Sequence, residues 1–385
     1  MLLESSKLQI RDEHIADFVH KLKLVLADYQ QPGTGRVGNG LFLLMGGPST
    51  WAYPTVVEYA KILITGAAKL GAQRVVQLLC EWISGEPLRY RHYALLQGVN
   101  IDKPIELPEG IHLSKLPTSS SDLPATLPYY NPTTTVTDYL GGVVLSVDYE
   151  MDHALYAPKE GEGQTLDTEC RGSVTAAAGK IPGLSFDSFC ESMSLACNGY
   201  VDWQVIWTDY GELGAFYHCH SGVNYKDRSG TYKTVGCSQE RLNKAREIHL
   251  MLHANKERKK SLDLAIHRWI RSKRSGSDSD KLIELRIALE ALYEIGGLNE
   301  KGFRISTYAA WHLGDDFEAR RTCSETLRKV YDDSSRAVHA GKLKHTAKDE
   351  ELVSRGQDFC RMGILKSLEE AEKPNWNELI LGMRS

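Results

Sequence analysis

The run D-K-L-I-E-L-R-I-A-L-E-A-L-Y-E-I-G-G, residues 280–297, sets Leu282, Leu285, Leu289 and Leu292 three, four and three residues apart. That spacing is one stripe of a helix with 3.6 residues per turn, and Gly296-Gly297 supplies a stop. The pattern continues on both sides. Upstream, SQERLNKAREIHLMLHANKERKKSLDLAIHRWIRSKR (238–274) reads as a long helical run with Ser238 as its N-cap, separated from the leucine stripe by the polar RSGSDSD. Downstream, GFRISTYAAWHLG (302–314) forms a shorter helix closed by Gly314. FEARRTCSETLRKVYDDSSRAVHAG (317–341) forms another, with Phe317, Leu327, Val330, Tyr331 and Val338 as an interrupted apolar face. A last helix runs over about residues 348–371 and stops before Pro374. Consecutive helices joined by short loops favour an antiparallel bundle.

The first two-thirds of the chain read differently. Short apolar, β-branched or aromatic runs are broken by Gly, Pro, Asn and Asp: LFLLMGG (41–47), GGVVLSVDYEM (141–151), VDWQVIWTDYG (201–211) and GAFYHCHSG (214–222). These suit strands. Residues 14–29 and 53–70 read as helices, the second with Pro54 near its start. The proline-rich stretch 102–132 reads as a long irregular connection. The fold class expected is therefore α+β: a mixed α/β or β-rich domain over residues 1–236, then an all-α antiparallel helical bundle over 237–385. A length of 385 residues fits two domains. Charged residues make up 25% of the chain and no run of 18 apolar residues occurs, so neither wholesale disorder nor a membrane span is expected. The eight cysteines form neither a C-x-x-C pair nor a dense framework, and the N-terminus has no apolar leader. Both fit a cytoplasmic location with reduced thiols.

The four pieces LDLAIHRWIRS, DKLIELRIALEALYE, RISTYAAWHLG and YDDSSRAVHAGKL, in that order between Leu262 and Leu343, resemble the HEPN superfamily, in particular its ApeA-like domains. The resemblance extends over roughly Leu262 to Ala371, less than a third of the chain. It implies a helical domain that forms homodimers and often acts on RNA, in bacterial defence or toxin systems. Active members are metal-independent endoribonucleases with an R-x(4–6)-H motif where YDDSSRAVH stands here. There a histidine moves protons while an arginine stabilises charge building on phosphorus. This chain departs from the motif. Matching His339 to the histidine puts the arginine at or near Ser334, and Arg336 stands only three residues before His339. Arg328, eleven residues before, lies about 16 Å away along a helix and is a poor substitute. Two readings stand: cleavage by His339 with Arg336, aided by Asp332 or Asp333, or a bundle without catalysis that binds RNA or dimerises. A third, bland reading makes His339 a cap on the last helix carbonyls.

Charge adds weight to RNA as a partner. Residues 241–274 hold 11 Lys/Arg against 3 Asp/Glu, in a chain whose net charge is −4. Lys256, Arg258, Lys259, Lys260, Arg268, Arg271, Lys273 and Arg274 flank or begin the bundle and are the candidate RNA-binding residues. Trp269, spaced with Leu262 and Ile266, is expected in the core rather than stacked on a base. No cofactor or metal is expected. GTGRVG (33–38) follows a helix and precedes a strand-like run, the reverse of a dinucleotide-binding unit. His218, Cys219 and His220 alternate across a strand and match no zinc spacing. Asp148, Glu150 and Asp152 alternate along another strand and read as the solvent side of a sheet edge.

Overall fold

The computed structural model describes residues 16–17, 20, 42–43, 45–47, 50–52, 63–68, 70–83, 88–123, 139–151, 155–156, 184–209, 232–254, 256–274, 276–293, 300–340, 347–370 and 374–380. Within these, helix α1 (Ala72–Ile83) leads into a five-stranded sheet made of β1 (Leu88–Gln97), β2 (Ile105–Leu107), β3 (Ile111–Lys115), β4 (Val143–Met151) and β5 (Asp202–Asp209). The spatial order is β5-β1-β4-β3-β2 and every pairing is antiparallel. Helix α2 (Phe186–Cys197) lies between β4 and β5 in sequence. Seven helices then complete the described chain: α3 (Gln239–Ala254), α4 (Lys256–Arg274), α5 (Asp278–Tyr293), α6 (Lys301–Leu313), α7 (Phe317–Ala340), α8 (Ala347–Glu369) and the short α9 (Trp376–Ile380).

Strand alternation sorts the sheet into two faces. Ala94, Leu96, Val143, Leu145, Val147, Ile111 and Leu113 point into a large core shared with α2, α3 and the bundle. Leu95, Val144, Val205 and Trp207 point the other way, against Tyr139 and Leu123. Secondary structure does change at Cys237 from strands to helices, yet the apolar core runs on across that point, through Leu242, Ala245 and Ile248 of α3.

The leucine stripe is buried as expected: Leu282, Leu285, Leu289 and Leu292 are each at most 3% exposed. Ser238 caps α3, its Oγ accepting from the Arg241 N–H at 3.3 Å, and Gly314 closes α6. Trp269 of α4 is fully buried, and its Nε1 donates to the Gln357 carbonyl of α8 at 2.9 Å. Gln357 answers by donating from Nε2 to the Ser272 carbonyl at 2.9 Å.

Every described residue from Gln239 to Arg274 is helical, as α3 and α4, and Asn255 between them lies outside the described set. Several expectations are corrected. The stretch 102–132 is not wholly irregular, because Ile105–Leu107 and Ile111–Lys115 pair as a hairpin. Gly110, at φ +76°, makes the turn, and a side chain there would press on Asp148. Phe317 and Val338 are exposed rather than part of the α7 apolar face, which Leu327 and Val330 carry. The strand bearing Asp148 is the middle strand of five, not an edge. Residues 33–38 and 214–222 lie outside the described set, as do most of 14–29 and the first part of 53–70.

Two predictions test this core. Trp269→Ala removes a fully buried indole and orphans the Gln357 carbonyl, so urea unfolding should show a loss of about 3–5 kcal/mol. His92 of β1 meets edge-on the stacked rings of Tyr90 and Tyr149 and is bonded through Nδ1 to Thr208 Oγ1 at 2.8 Å. Burial lowers its pKa to about 4. The unfolded chain therefore takes up this proton first, near pH 6.5, and the folded protein loses stability as pH falls from 6.5 toward 4. Between pH 7 and pH 5 the loss from this one group is about 2 kcal/mol, and His92→Gln should remove that part of the pH dependence of the urea midpoint.

Candidate nucleic-acid interface

Helix α7 persists through Ala340, so Arg336 and His339 are helical neighbours one turn apart. Helical geometry puts positions 332, 336 and 339 on one side. That side faces solvent: Asp332 and Arg336 are exposed, as are Arg328 and Lys329 a turn earlier. Only the backbone is described at His339. Asp333, Ser334 and Ala337 point inward instead and are buried.

The inward half of the motif is closely tied. Ser334 is completely buried, and its Oγ donates to the Tyr331 carbonyl at 2.7 Å. The Tyr331 ring lies beneath the Arg286 guanidinium, 4.4 Å from its centroid, and its hydroxyl accepts from Arg286 Nη2 at 3.0 Å. Gly302 of α6 gives the ring its seat: a Cβ there would come within 2.8 Å of it. Asp333 is 4% exposed and its carboxylate takes a hydrogen bond from the Arg336 guanidinium. Arg336 itself has two-thirds of its side chain in solvent. The structure thus brings Arg336 and Asp333 together as an ion pair.

The basic residues of α4 divide into three groups. Lys256, Arg258 and Lys259 lie in its first turn, with only their backbone described, and Lys260 is exposed. Arg268 and Arg271 converge on one carboxylate, Glu284 of α5, at 2.9 and 3.1 Å. Arg271 keeps 63% of its side chain in solvent while doing so. Lys273 and Arg274 turn toward the core. Lys273 lies 5.3 Å from the Trp269 ring centroid, and burial lowers its pKa to about 8 against the pull of Asp358. Arg274 lies over the Tyr200 ring at 5.7 Å. The local charge excess is therefore smaller than the sequence count, because Glu284 sits between two of its cations.

Arg271 and Arg274 also border a cleft of about 220 Å³ where α4 meets α2 and the start of β5. Asp187, Glu191, Tyr200, Asp202 and His267 line it, none of which the sequence singled out. Its polar groups largely answer one another. Glu191 pairs with His267 at 2.7 Å, Asp187 accepts from Trp203 Nε1 at 3.0 Å, and Asp202 accepts from the Tyr200 hydroxyl at 3.0 Å. Burial and the neighbouring Asp202 push the Tyr200 phenol up. No short-range sequence pattern links residues 187, 202 and 267, so only the fold reveals this cleft.

On the opposite side of the sheet, Asp148 accepts from Arg91 across the β1–β4 register and bonds His112 Nε2 at 3.0 Å. Partial burial alone would raise its pKa; the bonds from Arg91 and His112 outweigh that and hold it below the ordinary carboxylate value. Asp148 is thus committed to a cation on the neighbouring strand. Among the described residues no group of three or more His, Cys, Asp or Glu is arranged to hold a metal ion. Asp152, His218, Cys219 and His220 lie outside the described set.

The Asp333–Arg336 pair makes a clear thermodynamic prediction. Arg336→Ala leaves a buried carboxylate without its partner and should cost about 1–2 kcal/mol in thermal or urea unfolding. Adding Asp333→Asn should recover part of that loss, whereas Arg328→Ala should stay within about 0.5 kcal/mol of wild type. Comparison of the chain with protein-family models, curated proteins and solved structures finds no match.

Proposed function

We propose that the helical bundle is a HEPN-like module that binds RNA without cleaving it and pairs with a second copy, as the effector part of a cytoplasmic defence or toxin-type protein. The observation that carries the non-cleaving reading is Ser334. The position where the resemblance asks for an arginine is wholly inside the bundle, its hydroxyl bonded to the turn before it. The nearby Arg336 already serves Asp333. RNA association is supported by the exposed cations Lys260 and Arg271 on α4 and by Arg328, Lys329 and Arg336 along the solvent side of α7. Phosphates attract such groups whatever the sequence of the strand. Among the described residues no helix is long and apolar enough to cross a membrane.

One observation favours the second reading, a metal-independent endoribonuclease using His339 with Arg336 and aided by Asp332 or Asp333. Arg336 remains mostly in solvent on the same helix side as position 339, where a second chain would double the set. Fluorescence anisotropy with a labelled single-stranded RNA, run beside a denaturing gel, separates the two. The binding module predicts affinity that falls roughly tenfold or more between 50 and 200 mM salt, weakens several-fold in Lys260→Glu/Arg271→Glu, and is unchanged in His339→Ala. It also predicts an intact strand throughout. Fragments that survive EDTA and vanish in His339→Ala would make the protein a nuclease, and absence of binding at low salt would remove RNA from the account.

A further inference from the structure

Two thiols far apart in sequence meet where the sheet joins the helices. Cys197 is the last residue of α2, and Cys237 stands just before the Ser238 cap of α3. Both are free and buried, the two thiols lie within interaction range of each other, and Cys237 Sγ donates to the Ser238 carbonyl at 3.7 Å. The backbone on each side is fixed. Asn198 turns the chain in the left-handed region at the end of α2, and Ser194 Oγ accepts from the Val201 N–H at 3.0 Å. Val235–Gly236 pairs in parallel with Val99–Asn100, and the Cys237 N–H donates to the Asn100 carbonyl at 2.8 Å. The two segments touch at Gly199, where a Cβ would lie 2.5 Å from Val235 Cγ1.

We propose that Cys197 and Cys237 are a peroxide-reactive dithiol that closes to a reversible disulfide, a modification site at the joint between sheet and bundle. The neighbourhood favours a reactive thiolate at Cys197. The Cys237 S–H lowers the Cys197 pKa most, against burial, and the guanidiniums of Arg241 and Arg361 lower it further. Both cations are anchored on nearby carbonyls, Arg241 on Gly236 and Arg361 on Leu195. They also offset the end of the α2 dipole, which by itself disfavours an anion there. Burial limits access to a small oxidant. The Cys197 thiolate attacks one oxygen of hydrogen peroxide, giving a sulfenic acid and releasing hydroxide. The Cys237 sulfur then displaces hydroxide from the sulfenic sulfur. The S–S bond forms, the proton from Cys237 ends in water, and the sum is two thiols plus peroxide going to one disulfide and two waters.

The test treats the folded full-length protein with a small excess of hydrogen peroxide, alkylates it under denaturing conditions, and maps the peptides by mass spectrometry. The expected result is one cross-linked peptide joining Cys197 to Cys237, reversed by a dithiol reductant, with Cys190, Cys323 and Cys360 still alkylated. Cys237→Ser should abolish the cross-link and leave a sulfenic acid at Cys197 that dimedone traps. Arg241→Gln should slow the peroxide reaction roughly threefold or more. Circular dichroism confirms that each variant is folded, and Cys237→Ala replaces the serine variant where it is not. Alkylation of both thiols after peroxide, over-oxidation of Cys197 without a cross-link, or a cross-link to any other cysteine would overturn the proposal.

Discussion

The bundle depends on a reciprocal lock between α4 and α8. Trp269 donates its indole N–H to the Gln357 carbonyl, and Gln357 returns two bonds from its amide, to the Ser272 carbonyl at 2.9 Å and the Ser272 hydroxyl at 3.2 Å. The Ser272 hydroxyl in turn donates to the Trp269 carbonyl at 2.6 Å. All of these atoms lie away from water, so each bond left unmade would cost about 1–3 kcal/mol. The lock fixes the register of α8 along α4, which apolar contact alone would leave free to slide. Glycine then permits the close seat that this register demands. A Cβ at Gly356 would lie 2.8 Å from Leu285 and Val330, and one at Gly363 2.9 Å from the Tyr293 hydroxyl. Downstream of that seat, buried His312 bonds Glu370 at 3.1 Å and packs against Trp376, which fastens α9 to the bundle.

How legible each part was in the sequence follows from what decides it physically. The leucine stripe was legible because a helix buried on one side must repeat its apolar residues near every 3.6 positions, whatever it packs against. Strands β4 and β5 were legible for their apolar runs. Strand β1, LRYRHYALLQ, was not: Arg89, Arg91 and His92 disguise a central strand whose cation is neutralised by Asp148 only after pairing. Helix α2, FDSFCESMSLAC, hid for another reason. Its serines look like loop residues, but Ser192 and Ser194 are wholly buried because each hydroxyl donates to a carbonyl one turn earlier. The hairpin β2–β3 hid among prolines that fall at its borders: Pro104 precedes β2 and Pro108 follows it, positions a strand tolerates. Phe317 and Val338 misled because helical period was extended to α7 ends that nothing in this chain covers among the described residues.

The basic block shows the same limit in electrostatic form. A count along the chain measured the charge correctly but not where it is spent. Glu284, outside the counted window, draws in Arg268 and Arg271 because α4 and α5 are antiparallel neighbours. Lys273, counted equally with Lys260, is partly withdrawn from water, while Lys260 is exposed. A nucleic acid approaching α4 would therefore meet an interrupted row of cations, in which Lys260 and Arg271 are exposed. An uninterrupted stripe would bind more tightly and less selectively by position.

The motif at the end of α7 can be argued one step further from packing alone. An arginine at position 334 would need room for a much longer side chain than serine's in a place with no exposed surface. It would have to displace the bond to the Tyr331 carbonyl, and with it the ring that Gly302 and Arg286 hold. Moving the charge two residues along the helix instead rotates it by about 200°, from the core to solvent. There it needs no cavity and answers the buried Asp333 carboxylate from outside. The departure from the R-x(4–6)-H spacing is thus coupled to the rest of the bundle. The same helix cannot keep its inward face filled by Asp333, Ser334 and Ala337 and also present an arginine from position 334. Any phosphate that Arg336 contacts must compete with Asp333 for the guanidinium, which favours a strand held briefly along the helix over one clamped for reaction.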